Sequence, residues 1–319
     1  MRVAVVGSGN MGSNHLRVYS QLQGPELVGL VDPDQARAEA LAKQYGCQVF
    51  SRVEDLVGKV DAVTIASPSV THGEIGTVLL ENGIHCLVEK PLAVTEDQCQ
   101  SLIGAAEKSG AVLMVGHIER FNPAVEQLGQ FLAGGHKVHA LDARRMSAVS
   151  SRITDVDVVM DLMIHDLDVA NGLIDDEVVS VQAQGIDVQG YGHDFVTALV
   201  RYAGGTVASF TASRITQNKI RQLHITADIG FVEADYLRQE MMIYRQSRAS
   251  DLPSGSAGGY VMDLAMDRVY VRHSEPLVRE ISHFVDVVKK GGKPKTDGVS
   301  ALRSLRLAWA IQDALKAGI

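Results

Sequence analysis

Cysteine is scarce: Cys47, Cys86 and Cys99 are the only three in 319 residues. They cannot all pair, and none stands in C-x-x-C or metal-ligand spacing, so they read as reduced thiols in a cytoplasmic protein. Long apolar runs are missing too. No uninterrupted stretch reaches the ~18 residues of a membrane span, and the small and apolar residues after Arg2 are too few for a signal-peptide core. Positive charge is in deficit, with 30 Lys and Arg against 38 Asp and Glu and a net charge of −8. That balance gives neither nucleic acid nor an anionic membrane an electrostatic footprint. Internal repeats, low-complexity tracts and heptads are also absent. What is present is the composition of a soluble globular protein, 46% hydrophobic and 21% charged, at a length that suits about two domains.

The chain opens on an apolar, β-branched run, Met1-Arg-Val-Ala-Val-Val6, that leads directly into Gly7-Ser8-Gly9-Asn10-Met11-Gly12. A G-x-G-x-x-G alone is a weak signal. Between a strand and a helix start it predicts a dinucleotide turn. Gly7 permits the tight turn, Gly9 lets the backbone approach a pyrophosphate, and Gly12 lets the next helix pack on the strand. Asn10 and Met11 then belong to the helix N-terminus that faces the phosphates. Asp32 follows Gly12 by 20 residues, at the end of Leu27-Val-Gly-Leu-Val31. It is suited to accept hydrogen bonds from the adenosine ribose hydroxyls and to repel a 2′-phosphate, which points to NAD rather than NADP. An ordinary glycine-rich turn is the bland alternative.

Alternating strands and helices over residues 1–120 predict a doubly wound, mostly parallel sheet, an α/β Rossmann domain. Its later strands are predicted at 61–66, 84–89 and 111–115, with helices at 34–45, 71–81 and 96–108. From about residue 136 the texture changes. Segments 138–146, 178–188, 194–202, 206–213, 222–228 and 240–246 read as successive antiparallel strands. Ala203-Gly-Gly205 reads as a hairpin connection and 247–259 as a loop. Helices are predicted at 275–290 and 300–317. Residues 121–319 are thus read as an α+β domain for substrate binding and oligomerisation, with a large, mostly antiparallel, open-faced sheet. Its last helix is a candidate to pack back toward the first domain. Neither face of 195–202 is strongly charged, so one face of this sheet is expected to meet another subunit.

Three places carry candidate chemistry. In Glu89-Lys90-Pro91, Lys90 lies at the C-terminal edge of a parallel sheet, where ligands gather. Pro91 can set a cis bond that fixes its direction. Partial burial would lower the lysine's pKa and suit it to take or stabilise a hydroxyl proton. A surface lysine in a tight turn is the alternative. The second place is Asp157-Val-Val-Met-Asp161-Leu-Met-Ile-His165-Asp-Leu-Asp168. At about 100° per residue, Asp157, Asp161, His165 and Asp168 fall within about 80° on a helix that is otherwise apolar. Such a stripe needs a partner or a cleft. Asp161, one turn before His165, can hold the imidazole's tautomer and favour its protonated form. A solvated acidic face or a structurally satisfied histidine are the alternatives. No metal is expected, because no further His/Cys cluster has suitable spacing.

The third place is Gly116-His-Ile-Glu-Arg120-Phe-Asn122-Pro123, beyond the last Rossmann strand. Arg120 suits a phosphate or carboxylate, and Asn122 a sugar or carboxamide. Equally, Asn122 before Pro123 is an N-cap arrangement. Ser67, Pro68, His72 and Glu89 are candidates to line the cofactor, though His72 alone fits a helix-terminus histidine as well. Arg144, Arg145, Arg152, Arg214 and Arg221 stand as diphosphate-anchor candidates with no choice among them.

Taken together, Gly7-x-Gly9-x-x-Gly12, Asp32, Ser67-Pro68-x-x-x-His72, Glu89-Lys90-Pro91 and Asp161-x-x-x-His165 resemble the Gfo/Idh/MocA (glucose–fructose oxidoreductase/inositol dehydrogenase/MocA) family over essentially the whole chain. Segments 116–123 and 161–168 look most like its UDP-N-acetylglucosamine 3-dehydrogenase branch. The resemblance implies Lys90, Asp161 and His165 at the catalytic positions and a homodimer or homotetramer built on the open-faced sheet. It also implies a nucleotide-sugar substrate whose 3-keto product an aminotransferase converts to a 3-amino sugar. The expected reaction is hydride transfer from a sugar carbon to NAD⁺, with both substrates held across the join of the domains. His165 or Lys90 takes the hydroxyl proton. Two other readings stay open. One is a dehydrogenase of a free polyol or sugar, of the inositol or glucose type, which would not need a uridine diphosphate group. The other is a non-catalytic dinucleotide-sensing regulator on the same fold. The joint presence of Lys90 and His165 favours an enzyme.

Overall fold

The β-branched opening run forms β1 (Arg2–Val6), in a computed structural model that describes residues 1–148, 157–190, 192–246 and 264–318. After it come α1 (Asn10–Gln21), β2 (Glu26–Val31), α2 (Gln35–Tyr45), β3 (Gln48–Phe50), β4 (Ala62–Ile65), α3 (His72–Glu81), β5 (His85–Glu89), α4 (Glu96–Ser109) and β6 (Leu113–Gly116). The six strands pair in parallel in the order β3-β2-β1-β4-β5-β6. Every residue of β4 and β6 is buried, as strands covered by helices on both faces require. The helices stop where their caps dictate. Asp34 accepts from the Arg37 N–H at the start of α2, and Gly46 ends it at φ +71°. Thr95 and Gly110 do the same for α4. Strand order reverses between β1 and β4, so the ligand crevice lies at their C-terminal ends. Three-residue β3 was not predicted, because a strand that short shows no period.

The next segment builds a different sheet. It contains α5 (Pro123–Leu132), β7 (Val138–Met146), a π-helical turn (Val159–Met163), α6 (Ile164–Leu173), β8 (Val178–Ile186), β9 (Phe195–Tyr202), β10 (Val207–Ser213), β11 (Ile220–Ala227), β12 (Gly230–Asp235), β13 (Glu240–Gln246) and β14 (Leu264–Val269). The order is β14-β13-β12-β11-β7-β10-β9-β8, antiparallel throughout except for the parallel pair β7 and β10. Along β9, Val196, Ala198, Val200 and Tyr202 are buried while Thr197, Leu199 and Arg201 are exposed. One face therefore meets α5 and α6 and the other is open. Strands β12 and β14 are additions to the predicted set; β14 reads Leu-Ala-Met-Asp-Arg-Val, poor in β-branched residues. The predicted loop at 247–259 lies outside the described residues.

The chain then turns to α7 (Pro276–Lys290) and α8 (Gly298–Ala317). In α7, Leu277, Ile281, Phe284 and Val285 repeat at helical spacing and bury among Val3, Val5, Leu16, Tyr19, Leu87, Met114 and Phe121. Arg17 on α1 pairs with Glu275. Thr296 exchanges bonds with Val115 of β6, its carbonyl accepting at 2.8 Å and its hydroxyl donating at 2.7 Å. The chain accordingly divides into one unit of 1–121 with 274–305 and another of 122–273 with 306–319. Residues 274–305, which the sequence reading assigns to the second domain, belong with the first. Periodicity shows that α7 has a buried face, not what that face is buried against.

Candidate active site

The glycine turn is closed on its inner side and open at its middle. Gly7 has φ +96°, and a Cβ there would fall 2.5 Å from the Ala66 oxygen at the end of β4. A Cβ on Gly12 would lie 1.9 Å from the Gly7 oxygen, so α1 packs this close only without a side chain. Around Gly9 a Cβ would meet nothing within 4 Å. That is the room a pyrophosphate needs to approach the backbone. Asn10 and Met11 open α1, whose first turn carries no acidic residue, leaving its positive end for an anion.

Asp32, buried at the end of β2, accepts from the Ser8 N–H at 2.6 Å, the Asp34 N–H at 2.8 Å and Arg37 Nη2 at 3.1 Å. Burial pushes its carboxyl up, but the bonds from Asp34 and Ser8 and the charge of Arg37 outweigh that and hold it below the usual carboxylate range. A charged acceptor fits ribose hydroxyls. Arg37, which the sequence reading passed over, also donates to Ser8 Oγ at 2.7 Å. Its position in the first turn after Asp32 was the available signal.

At the ends of β4 and β5, a single histidine joins two motifs. The ring of His72 is 1% exposed. Its Nε2 lies 2.9 Å from the Ser67 carbonyl oxygen and its Nδ1 2.9 Å from that of Pro91; the carbonyls accept, and a neutral ring donates to one of them. Ser67 Oγ and Thr71 Oγ1 bond at 2.7 Å. The Lys90–Pro91 peptide is cis, and Lys90 is half-buried. Ser67, Pro68 and Lys90 thus lie at the C-terminal edge of the sheet, with His72 beneath them as a joint. Glu89 does not face that way. Its carboxylate turns into the core and meets His15 Nε2 at 2.7 Å, with Glu280 of α7 beside them, the three groups lying within 4.8 Å of one another. This corrects the expected cofactor contact for Glu89, because the two helices packed on that side surround the side chain.

In the second unit, the polar stripe at 157–168 separates into different jobs. Asp157 caps the segment: Oδ1 accepts from the N–H groups of Val159 (3.1 Å) and Met160 (3.0 Å), and Oδ2 from Gln312 Nε2 (2.8 Å). Asp168 is buried at 1% exposure. Between them the backbone widens, the Ile164 N–H reaching back to the Val159 oxygen. The regular α-spacing assumed from the sequence is therefore revised, and single π turns recur at functional sites. Asp161 and His165 are both half-buried on a segment whose other side, including Val158, Val159, Met163, Ile164 and Leu167, is buried. Asp166, unremarked in the sequence, takes both bonds of a fork from Arg145, at 2.7 and 2.9 Å.

The remaining candidates divide. Arg120 sits in a 3-10 turn after β6 (Ile118–Phe121). Asn122 is buried; its Oδ1 accepts from the Ala124 N–H and its Nδ2 donates to the Tyr236 carbonyl, both at 3.1 Å. The structure thus makes Asn122 the cap of α5, one of the two roles its sequence setting offers. Arg145 and Arg214 are committed to the buried carboxylates of Asp166 and Asp194, and Arg221 to the Met146 and Ile220 carbonyls. Arg144 pairs with Asp142, and Arg152 lies outside the described residues.

Comparison with known proteins agrees with this geometry. A family model described as an oxidoreductase family with an NAD-binding Rossmann fold matches residues 1–117, and one for a GFO/IDH/MocA C-terminal domain matches residues 140–233. The UDP-N-acetylglucosamine 3-dehydrogenase of Acidithiobacillus ferrooxidans is 34% identical over 317 residues, covering 99% of this chain and 98% of that protein. A solved structure of that enzyme superposes with a TM-score of 0.90 at 32% identity, over 99% and 98% of the two chains. The inositol 2-dehydrogenase of Rhizobium meliloti is 26% identical over 329 residues, covering 97% of this chain and 95% of that protein. A glycine turn open at Gly9, a charged Asp32 beside it and both family models place this chain in the Gfo/Idh/MocA oxidoreductases, with an N-terminal domain that binds NAD(P).

Proposed function

We propose that this protein oxidises the 3-hydroxyl of UDP-N-acetylglucosamine to a ketone, with NAD⁺ as its cofactor. The observation that carries the reading is the similarity to a UDP-N-acetylglucosamine 3-dehydrogenase, 34% against 26% for an inositol 2-dehydrogenase, along nearly the full length of both chains. Gly7, Gly9 and Gly12 with the start of α1 hold the pyrophosphate, Asp32 the ribose, and Ser67 and Pro68 line the same edge. The bound NAD⁺ supplies the hydride acceptor. Lys90 donates a hydrogen bond to the sugar hydroxyl oxygen and supports the charge that develops there as the C–H bond breaks. His165 or Lys90 takes the hydroxyl proton, and Asp161 favours the imidazolium that forms where His165 does so. Arg120 is a candidate for an anionic group of the substrate.

The 3-keto product is the carbonyl an aminotransferase requires. Exposed Leu199, Val207 and Phe231 on the open sheet face support a homodimer or homotetramer, and the reduced-thiol composition supports a cytoplasmic location.

The test is NAD⁺ reduction with UDP-N-acetylglucosamine, beside myo-inositol, glucose and free N-acetylglucosamine, with the product weighed by mass spectrometry. A UDP-sugar two hydrogens lighter supports the reading. Turnover confined to a free polyol or sugar overturns the substrate and keeps the family. Cofactor binding without turnover on any of them would bring forward a dinucleotide-sensing role.

A further inference from the structure

We propose that Arg145 and Asp166 are a positioning pair that sets the rotation of α6, and with it the aim of His165 and the π turn bearing Asp161. The inference rests on the reading that Asp161 and His165 handle the sugar hydroxyl. Asp166 directly follows His165 in the first turn of α6. Its Oδ2 accepts from Arg145 Nε at 2.7 Å and its Oδ1 from Arg145 Nη2 at 2.9 Å, and both side chains are 4% exposed. Arg145 is anchored in turn. It stands on β7, hydrogen-bonded between β10 and β11 inside the eight-stranded sheet. Its guanidinium lies 5.7 Å from the centre of the Tyr236 ring.

Stability alone is a poor reason for this pair. Two charges removed from water are often replaced by apolar side chains of similar volume at no loss, so a buried ion pair is weak evidence of a stabilising role. What it adds is direction. Apolar side chains tolerate sliding and rolling, whereas a guanidinium fork on a carboxylate is planar and accepts one orientation. A roll of about 20° would carry a side-chain tip ~2 Å at the outer radius of a helix, and a misplacement of about 1 Å can lower a reaction rate ~10²-fold. The need is local to this segment. A π turn is a rare and irregular backbone, and Asp161 sits within it. Asp157 fixes the N-terminal flank through the Val159 and Met160 N–H groups, and Asp166 fixes the C-terminal flank through Arg145. The reacting residues lie between these two carboxylate anchors.

The test compares the full-length wild type with Arg145→Lys, with the double variant Arg145→Met plus Asp166→Leu, and with His165→Asn. Each is measured for thermal unfolding, kcat, KM for UDP-N-acetylglucosamine, NADH affinity and the pH dependence of kcat. The double variant removes both charges at similar volume. It is expected to unfold within a few degrees of wild type, yet to lose about 10–100-fold in kcat with KM and NADH affinity nearly unchanged and the acid limb of the pH profile displaced. Arg145→Lys keeps a charge and loses the fork, so it is expected to lose kcat in the same way; it decides the matter should the double variant fail to fold. Wild-type kcat and pH profile in either folded variant would overturn the proposal. If His165→Asn is inactive while these variants are normal, only the positioning role fails. Normal turnover in His165→Asn would instead overturn the catalytic reading beneath it.

Discussion

The Nδ1 of His72 lies 2.9 Å from the carbonyl oxygen of Pro91, and its Nε2 the same distance from that of Ser67. One buried ring therefore ties the loop after β4 to the turn after β5 that carries Lys90. Replacing His72 by Ala is expected to reduce turnover about 10–100-fold by loosening the lysine's placement. His72→Gln, which can restore one of the two bonds, is expected to recover part of it. Steady-state kinetics of the two variants, with NADH affinity measured alongside, checks this.

Asp32 is held charged by Ser8, Asp34 and Arg37. Asp32→Ser is expected to weaken NAD⁺ binding by about 1.5–3 kcal/mol, the range for hydrogen bonds to a charged group. It also frees Arg37 to meet a 2′-phosphate, so NADP⁺ should gain relative to NAD⁺. Titration with both cofactors reads the ratio, and an unchanged preference would remove Asp32 from the site.

Lys90→Met and His165→Asn are each expected to lower kcat by ~10²–10⁴. Both side chains are half-buried and lie outside the core, so thermal unfolding should move little. Near-normal turnover in both would show that the chemistry lies elsewhere.

Acid should weaken the second unit through Asp194. Burial pushes its carboxyl up, but the Arg214 bond at 2.6 Å, the Val188 and Gln189 N–H groups and the Arg214 charge outweigh that and hold it below the usual range. A folded-state value below the unfolded one contributes stability that is full above the unfolded value, ~3.9, and lost as pH falls through the folded one. Asp194→Asn leaves Arg214 buried without its partner charge and is expected to cost about 3–5 kcal/mol at pH 7. Urea unfolding should show the gap between variant and wild type closing below about pH 4.

Much of the cofactor domain was legible in the chain because its signals are local. A β-branched run, glycines at fixed offsets and an acid 20 residues on describe one βαβ unit. The alternation along 195–202 likewise exposed a one-faced strand. The polar stripe at 157–168 was legible only in part. Its residue types were read correctly as polar positions on an apolar segment, but regular α-spacing concealed the π turn, which separates Asp157 as a cap and Asp168 as a buried residue from Asp161 and His165.

What the sequence determined by itself was most of the elements, apart from β3, β12, β14 and the π turn, together with the dinucleotide turn and the chemistry-bearing residue types, since each depends on neighbours within a few turns of chain. Tertiary structure alone decided their partners. It placed α7 against β1 and α1 across more than 250 residues of chain. It turned Glu89 inward to His15 and set Asn122 Nδ2 on the Tyr236 carbonyl. It also closed Arg145 on Asp166. The physical reason is common to all four. Periodicity and propensity report that a side chain will be buried or bonded, while the identity of the partner depends on which surfaces the fold brings together.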